Sequence, residues 1–142
     1  MVAAAACVLA LAGCGSSSLS ATALRDQAAQ VCMTADRQAA AIPMPRSPAA
    51  SVDFVTRGLA VLEPEIASLR VLRAPEDLDQ AYTVSLDAFA DKLGALTSAI
   101  SRMRAGADPR GTIAVLAQCL APLDSRKNGV WRRLDIPACL SR

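Results

Sequence analysis

The segment Ala74-Pro75-Glu76-Asp77-Leu78-Asp79-Gln80-Ala81-Tyr82-Thr83-Val84-Ser85-Leu86-Asp87-Ala88-Phe89, with its continuation to Met103-Arg104-Ala105-Gly106, decides the fold of this chain. Leu78, Tyr82, Leu86, Phe89, Leu93, Leu96, Ile100 and Met103 follow one another at spacings of three and four. That is the period of one face of an α-helix. Pro75 suits a first helical turn, where its missing amide costs nothing, and Glu76 and Asp77 suit the positive end of the helix dipole. Arg102 and Arg104 fall in the last turn and Gly106 is a natural stop. The spacing therefore predicts one long amphipathic helix, whose apolar stripe must be covered by something else.

The flanking sequence supplies three such covers. A first helix is predicted from about Ser20 to Ala41, with Leu24, Ala28, Val31, Ala35 and Ile42 on one stripe. Ile42-Pro43-Met44-Pro45 ends it, because proline lacks an amide donor and clashes with the preceding turn. Ser47-Pro48 opens a second helix as N-cap and first-turn proline. Its stripe is Val52, Val55, Leu59, Leu62, Ile66 and Leu69, and Pro64 inside it predicts a kink or short break. Asp108-Pro109 opens a fourth helix with Ile113, Leu116, Leu120 and Leu123 on its stripe; Pro122 is expected to bend it, and Ile136-Pro137-Ala138-Cys139 to form a non-helical tail. Four stripes joined by short connections predict an all-α domain, an antiparallel up-down four-helix bundle.

Composition narrows function. The 142 residues include 15 basic and 13 acidic side chains, a net charge of +2, which argues against the basic face of a nucleic-acid binder. Histidine is absent, which removes the commonest general base and the commonest metal ligand together. Phe54, Phe89, Tyr82 and Trp131 are the only aromatics, too few for a stacking platform. No serine lies in a GxSxG or SxxK pattern, and no glycine-rich phosphate loop follows a strand. Glu63 and Glu65 around Pro64, and Glu76, Asp77 and Asp79 at a helix start, read as solvated charges rather than an acid–base pair. Asp87, Asp91 and Lys92 read as a wet helix face. These features predict no enzyme, no cofactor and no metal site.

The first fourteen residues carry the most specific signal. An uncharged apolar run from Val2 to Ala12 ends in Leu11-Ala12-Gly13-Cys14 and is followed by Gly15-Ser16-Ser17-Ser18. The run is too short for a spanning helix, which needs ~20 residues, and suits an export leader. It resembles the signal peptide and lipobox of bacterial lipoproteins. The resemblance implies that residues 1–13 are cleaved and that Cys14 carries a diacylglyceryl group on sulfur, with palmitate-type acylation of its new amino group as well. One acyl chain anchors weakly, and two or more anchor stably. Residues 14–19 then form the lipidated end and a flexible spacer, and residues 20–142 the bundle, on the extracytoplasmic face of the cell membrane. No Lys or Arg precedes Arg25, so the positive start of such a leader is expected upstream of Met1. Cys7 falls within the leader and needs no role beyond apolarity.

The remainder is similar, by overall pattern, to exported helical lipoproteins of actinobacteria that carry one cysteine in the first helix and one in a short tail after the last. That resemblance implies a Cys32–Cys139 disulfide, in an oxidising space where disulfides persist. Helix geometry leaves a rival open: at ~1.5 Å per residue, Cys32 and Cys119 lie at similar depths below one end of the bundle. No pair of thiols has CxxC spacing, so a thiolate metal site is not expected.

Arg126, Lys127, Arg132, Arg133 and Arg142 crowd the C-terminal end, at the pole of the bundle nearest Cys14. They are candidates for contact with anionic headgroups, and equally for complementing a helix C-terminus. The sequence thus implies a membrane-anchored structural or protein-interaction module, its partner an envelope protein. The alternative is a binding protein for a small apolar molecule held where Pro64 and Pro122 open the core.

Overall fold

The computed structural model describes residues 18–140. Residues 1–17 and 141–142, among them the leader, Cys14 and Arg142, lie outside the described residues. Four helices, α1 (Ala21–Ala40), α2 (Ser51–Arg70), α3 (Glu76–Arg104) and α4 (Pro109–Arg133), make an all-α four-helix bundle. Each boundary has a local cause. The Ser20 hydroxyl accepts from the Ala23 amide at 3.1 Å, and the Asp108 carboxylate accepts from the Gly111 amide at 2.7 Å. Both satisfy amides that a helix start leaves without partners. A 3-10 turn at Pro48–Ala50 leads into α2. At the end of α3, Gly106 (φ +93°) lets the Ala107 amide reach back to the Arg102 carbonyl at 3.0 Å. Asp135 (φ 59°) repeats that geometry after α4, with the Ile136 amide on the Trp131 carbonyl at 3.0 Å. This is the reverse turn that closes a helix C-terminus, usually on glycine.

Both internal prolines are accommodated. Neither α2 at Pro64 nor α4 at Pro122 is broken. Both prolines are exposed, which leaves the carbonyls they free within reach of solvent. Pro64 lines a depression of about 330 Å³ between α1 and α2.

The packing departs from simple four-stripe closure in one respect. α3 is flanked by α2 on one side and α4 on the other, while α1 packs on α2 and scarcely touches α3 or α4. The gap is closed by the chain after α4, where Pro137–Cys139 forms a 3-10 turn packed on α1 in place of the expected non-helical tail. Leu134 and Ile136 are each about 1 % exposed, as is Trp131 in the last turn of α4, so this segment is core. Cys139 is bonded to Cys32 in the middle of α1, with Cα atoms 5.2 Å apart, inside the ordinary range for a disulfide. Cys119 is exposed and unbridged on α4. Equal depth along the bundle does not make it a neighbour of Cys32, because α1 and α4 are separated by the C-terminal turn.

Three further ties gather the same pole. The Arg25 Nε donates to the Leu134 carbonyl at 2.9 Å, a cation on the last carbonyls of α4. The Leu19 amide donates to the Arg73 carbonyl at 2.8 Å. Tyr82 donates its hydroxyl to the Leu69 carbonyl at 2.7 Å and meets Trp131 edge-on at 5.9 Å between centroids.

Two measurements check this account. The bridge closes a loop with a sequence separation of 107 residues. In the loop-entropy description it stabilises by ~4–5 kcal/mol, so Cys139→Ala should lower the unfolding free energy by about that amount in denaturant titration, and Cys119→Ala by under ~1 kcal/mol. Burial raises the pKa of Tyr82 above its ordinary 10.0. The folded state then holds a proton that the unfolded state releases, so stability is whole below pH 10 and falls as pH rises beyond it. With one tyrosine in the chain, tyrosinate absorbance should appear together with unfolding and not before it.

Candidate functional site

Because α2 and α4 both pack on α3 and touch each other little, a furrow runs between them in the half of the bundle away from the N-terminus. Its volume is about 400 Å³, within the range of small-molecule sites, ~300–1,000 Å³. Phe54, Leu62, Leu96, Leu116 and Leu120 form apolar walls, and Gly58 and Ala117 keep it open. A Cβ added at Gly58 would meet no atom within 4 Å. Met44, which is 75 % exposed, stands at the rim on the α1–α2 connection. The stripe residues of α2, α3 and α4 were legible in the sequence as core, but their partial separation was not. The furrow follows from how far apart two helices sit on a third, and is not the work of Pro64 or Pro122.

Beside the furrow the core holds charge. Lys92, expected on a wet face, is 7 % exposed and lines the furrow wall. Its Nζ lies 2.9 Å from Asp124 Oδ1 across the α3–α4 interface. Lys127 is 3 % exposed, with its Nζ 3.8 Å from the same oxygen and 5.7 Å from the centroid of the Phe89 ring. One carboxylate and one aromatic face thus receive two ammonium groups, an arrangement that compensates their desolvation. Glu65, expected to be solvated, is 5 % exposed on α2. The signal for all three was present: Glu65 lies three residues after Leu62, Lys92 three after Phe89, and Lys127 three before Val130, each within an apolar stripe. A charge at such a position is a charge in the core.

Lys127 is therefore withdrawn from the proposed headgroup contacts, since it is inside the protein. Arg126, Arg132 and Arg133 are exposed. Arg132 and Arg133 share their pole with exposed Glu76, Asp77, Asp79 and Asp135, so the surface there is mixed rather than basic. Asp87 and Asp91 are exposed, as is Glu63. Among the described residues no group of three or more Cys, Asp or Glu side chains is placed to hold a metal ion, and no helix is long and apolar enough to cross a membrane. Compared with protein-family models, curated proteins and solved structures, the chain has no significant match.

The buried charges give a sharp test. Asp124→Ala leaves Lys92 and Lys127 without their shared carboxylate. Removing one partner of a buried pair costs ~3–5 kcal/mol; the Asp124 side chain is 32 % exposed, so a loss of about 2–3 kcal/mol is expected after screening. Lys92→Met keeps the volume and leaves Asp124 part-exposed with Lys127 still 3.8 Å away, so its cost should be smaller, about 1 kcal/mol. Thermal unfolding of the two variants checks the order.

Proposed function

We propose that this chain is a lipoprotein held at the extracytoplasmic face of the cell membrane by acyl chains on Cys14, and that its helical domain is a non-catalytic interaction module. The observation that carries this reading is the Cys32–Cys139 bridge. Disulfides persist in oxidising spaces and are rare in the cytosol, and this one joins the first helix to the last turn, where it stabilises the whole domain. The leader supports it independently: a lipobox cysteine stands just before a serine-rich spacer.

A second reading is favoured by the furrow: the module binds a small apolar molecule between α2 and α4. The walls are apolar and the site is concave, as small-molecule sites are. A protein partner remains the occupant under the first reading, with Arg126, Arg132 and Arg133 available to headgroups or to that partner.

Export and anchoring are tested on protein recovered from the source organism. Intact mass should fit a chain beginning at Cys14 with two or three acyl groups and two hydrogens fewer than the reduced form. Cys14→Ala should move the protein out of the membrane fraction. An unprocessed chain with Met1 and free thiols, found in the cytosol, overturns the proposal.

A further inference from the structure

We infer that the furrow binds a single-chain amphiphile with an anionic head, its tail among the aliphatic side chains and its head between Arg46 and Arg110; this rests on the small-molecule reading above. The furrow is not closed at its outer end. It runs into a second, shallower depression of about 510 Å³ that shares Pro45, Ser51, Ile113 and Ala117 with it. Arg46 on the α1–α2 connection and Arg110 in the first turn of α4 both line that depression. Both are exposed, and neither is within ion-pair distance of a carboxylate among the described residues. Asp53 is taken by Arg57 at 2.9 Å, and Asp108 caps α4.

The charge is one-sided along the whole path. Lys92, Arg46 and Arg110 line the two depressions, and no Asp or Glu does. Lys92 is already matched by Asp124, which leaves the two guanidiniums at the mouth as the unsatisfied cations. Guanidinium forks match carboxylate and phosphate oxygens in paired hydrogen bonds. A neutral hydrocarbon would use the walls and waste the mouth, while a cationic amphiphile would be repelled by it. Met44, held in water at the rim, gains cover when a tail lies beneath it.

The test uses the full chain carrying Cys14→Ala, with its bridge intact, and displacement of the fluorescent probe 11-(dansylamino)undecanoate below micellar concentrations. Competitors are laurate, dodecyl phosphate, dodecanol and dodecyltrimethylammonium. Laurate, dodecyl phosphate or both should displace the probe at least tenfold better than the other two. Arg46→Ala with Arg110→Ala should weaken the anionic competitors about tenfold or more and abolish that preference. Ala117→Trp, which fills the furrow from an exposed helix position, should remove binding, and Gly58→Leu does the same from α2 if the tryptophan variant fails to fold. The leader is common to every variant, so its background cancels. Equal displacement by dodecanol, unchanged in the arginine variant but lost in Ala117→Trp, overturns the anionic head and leaves the small-molecule reading standing. Binding that no filling variant reduces overturns both. Preference for laurate over dodecyl phosphate, or the reverse, names which anion the mouth takes.

Discussion

The structure depends on one closure: the chain returns after α4 and its Cys139 is fixed to Cys32 in α1. Without that return, α1 would hold to the rest mainly through α2, and its inner face would lie open on the side toward α4. Leu24, Ala28 and Cys32 are fully buried because Leu134, Ile136 and the Pro137–Cys139 turn lie against them. The disulfide acts on the unfolded chain by shortening its reach. The buried apolar side chains act on the folded one, at about 25 cal/mol per Å² removed from water. The two contributions act at the same place, since the bridge fixes the segment that carries buried Leu134 and Ile136.

The turn itself rests on a single backbone conformation. Asp135 adopts a positive φ that side-chain-bearing residues seldom take, and glycine does the same work at the other inter-helix stop, Gly106. Aspartate and asparagine tolerate this region better than other residues. The modest strain is repaid because the reversal aims Ile136 and Cys139 at α1 rather than into water, and because Arg25 then finds the Leu134 carbonyl.

Much of this was legible in the sequence, for reasons that can be located. The Leu78–Met103 stripe fixed α3 because every third or fourth residue is apolar over seven turns. Ser20, Pro48, Pro75 and Asp108-Pro109 marked helix starts through hydrogen-bonding chemistry that operates within three residues. The misreadings share a different cause. The charge of Lys92 and Glu65 points to the surface, whereas their register, three residues after Phe89 and Leu62, places them in the core. Prolines 64 and 122 were expected to disturb the core, but which face a proline occupies depends on packing against other helices. The furrow was beyond the reach of periodicity altogether, for it is set by the distance between α2 and α4, which no local pattern encodes.

The two poles of the bundle are consequently unlike. The pole that meets the N-terminus holds the bridge turn, the Tyr82–Trp131 pair and the Arg25 tie, and its surface charges are of both signs. The far half keeps its helices apart over apolar walls and gathers arginines at its mouth. α3 alone has 29 residues, or about 43 Å at ~1.5 Å per residue. Under the proposed anchor at Cys14, the rigid, charge-balanced pole faces the membrane and the open, cationic end faces outward. Rigidity at one pole and space at the other follow from one cause. The C-terminal turn can close only the half of the bundle it reaches, and the half it does not reach stays open.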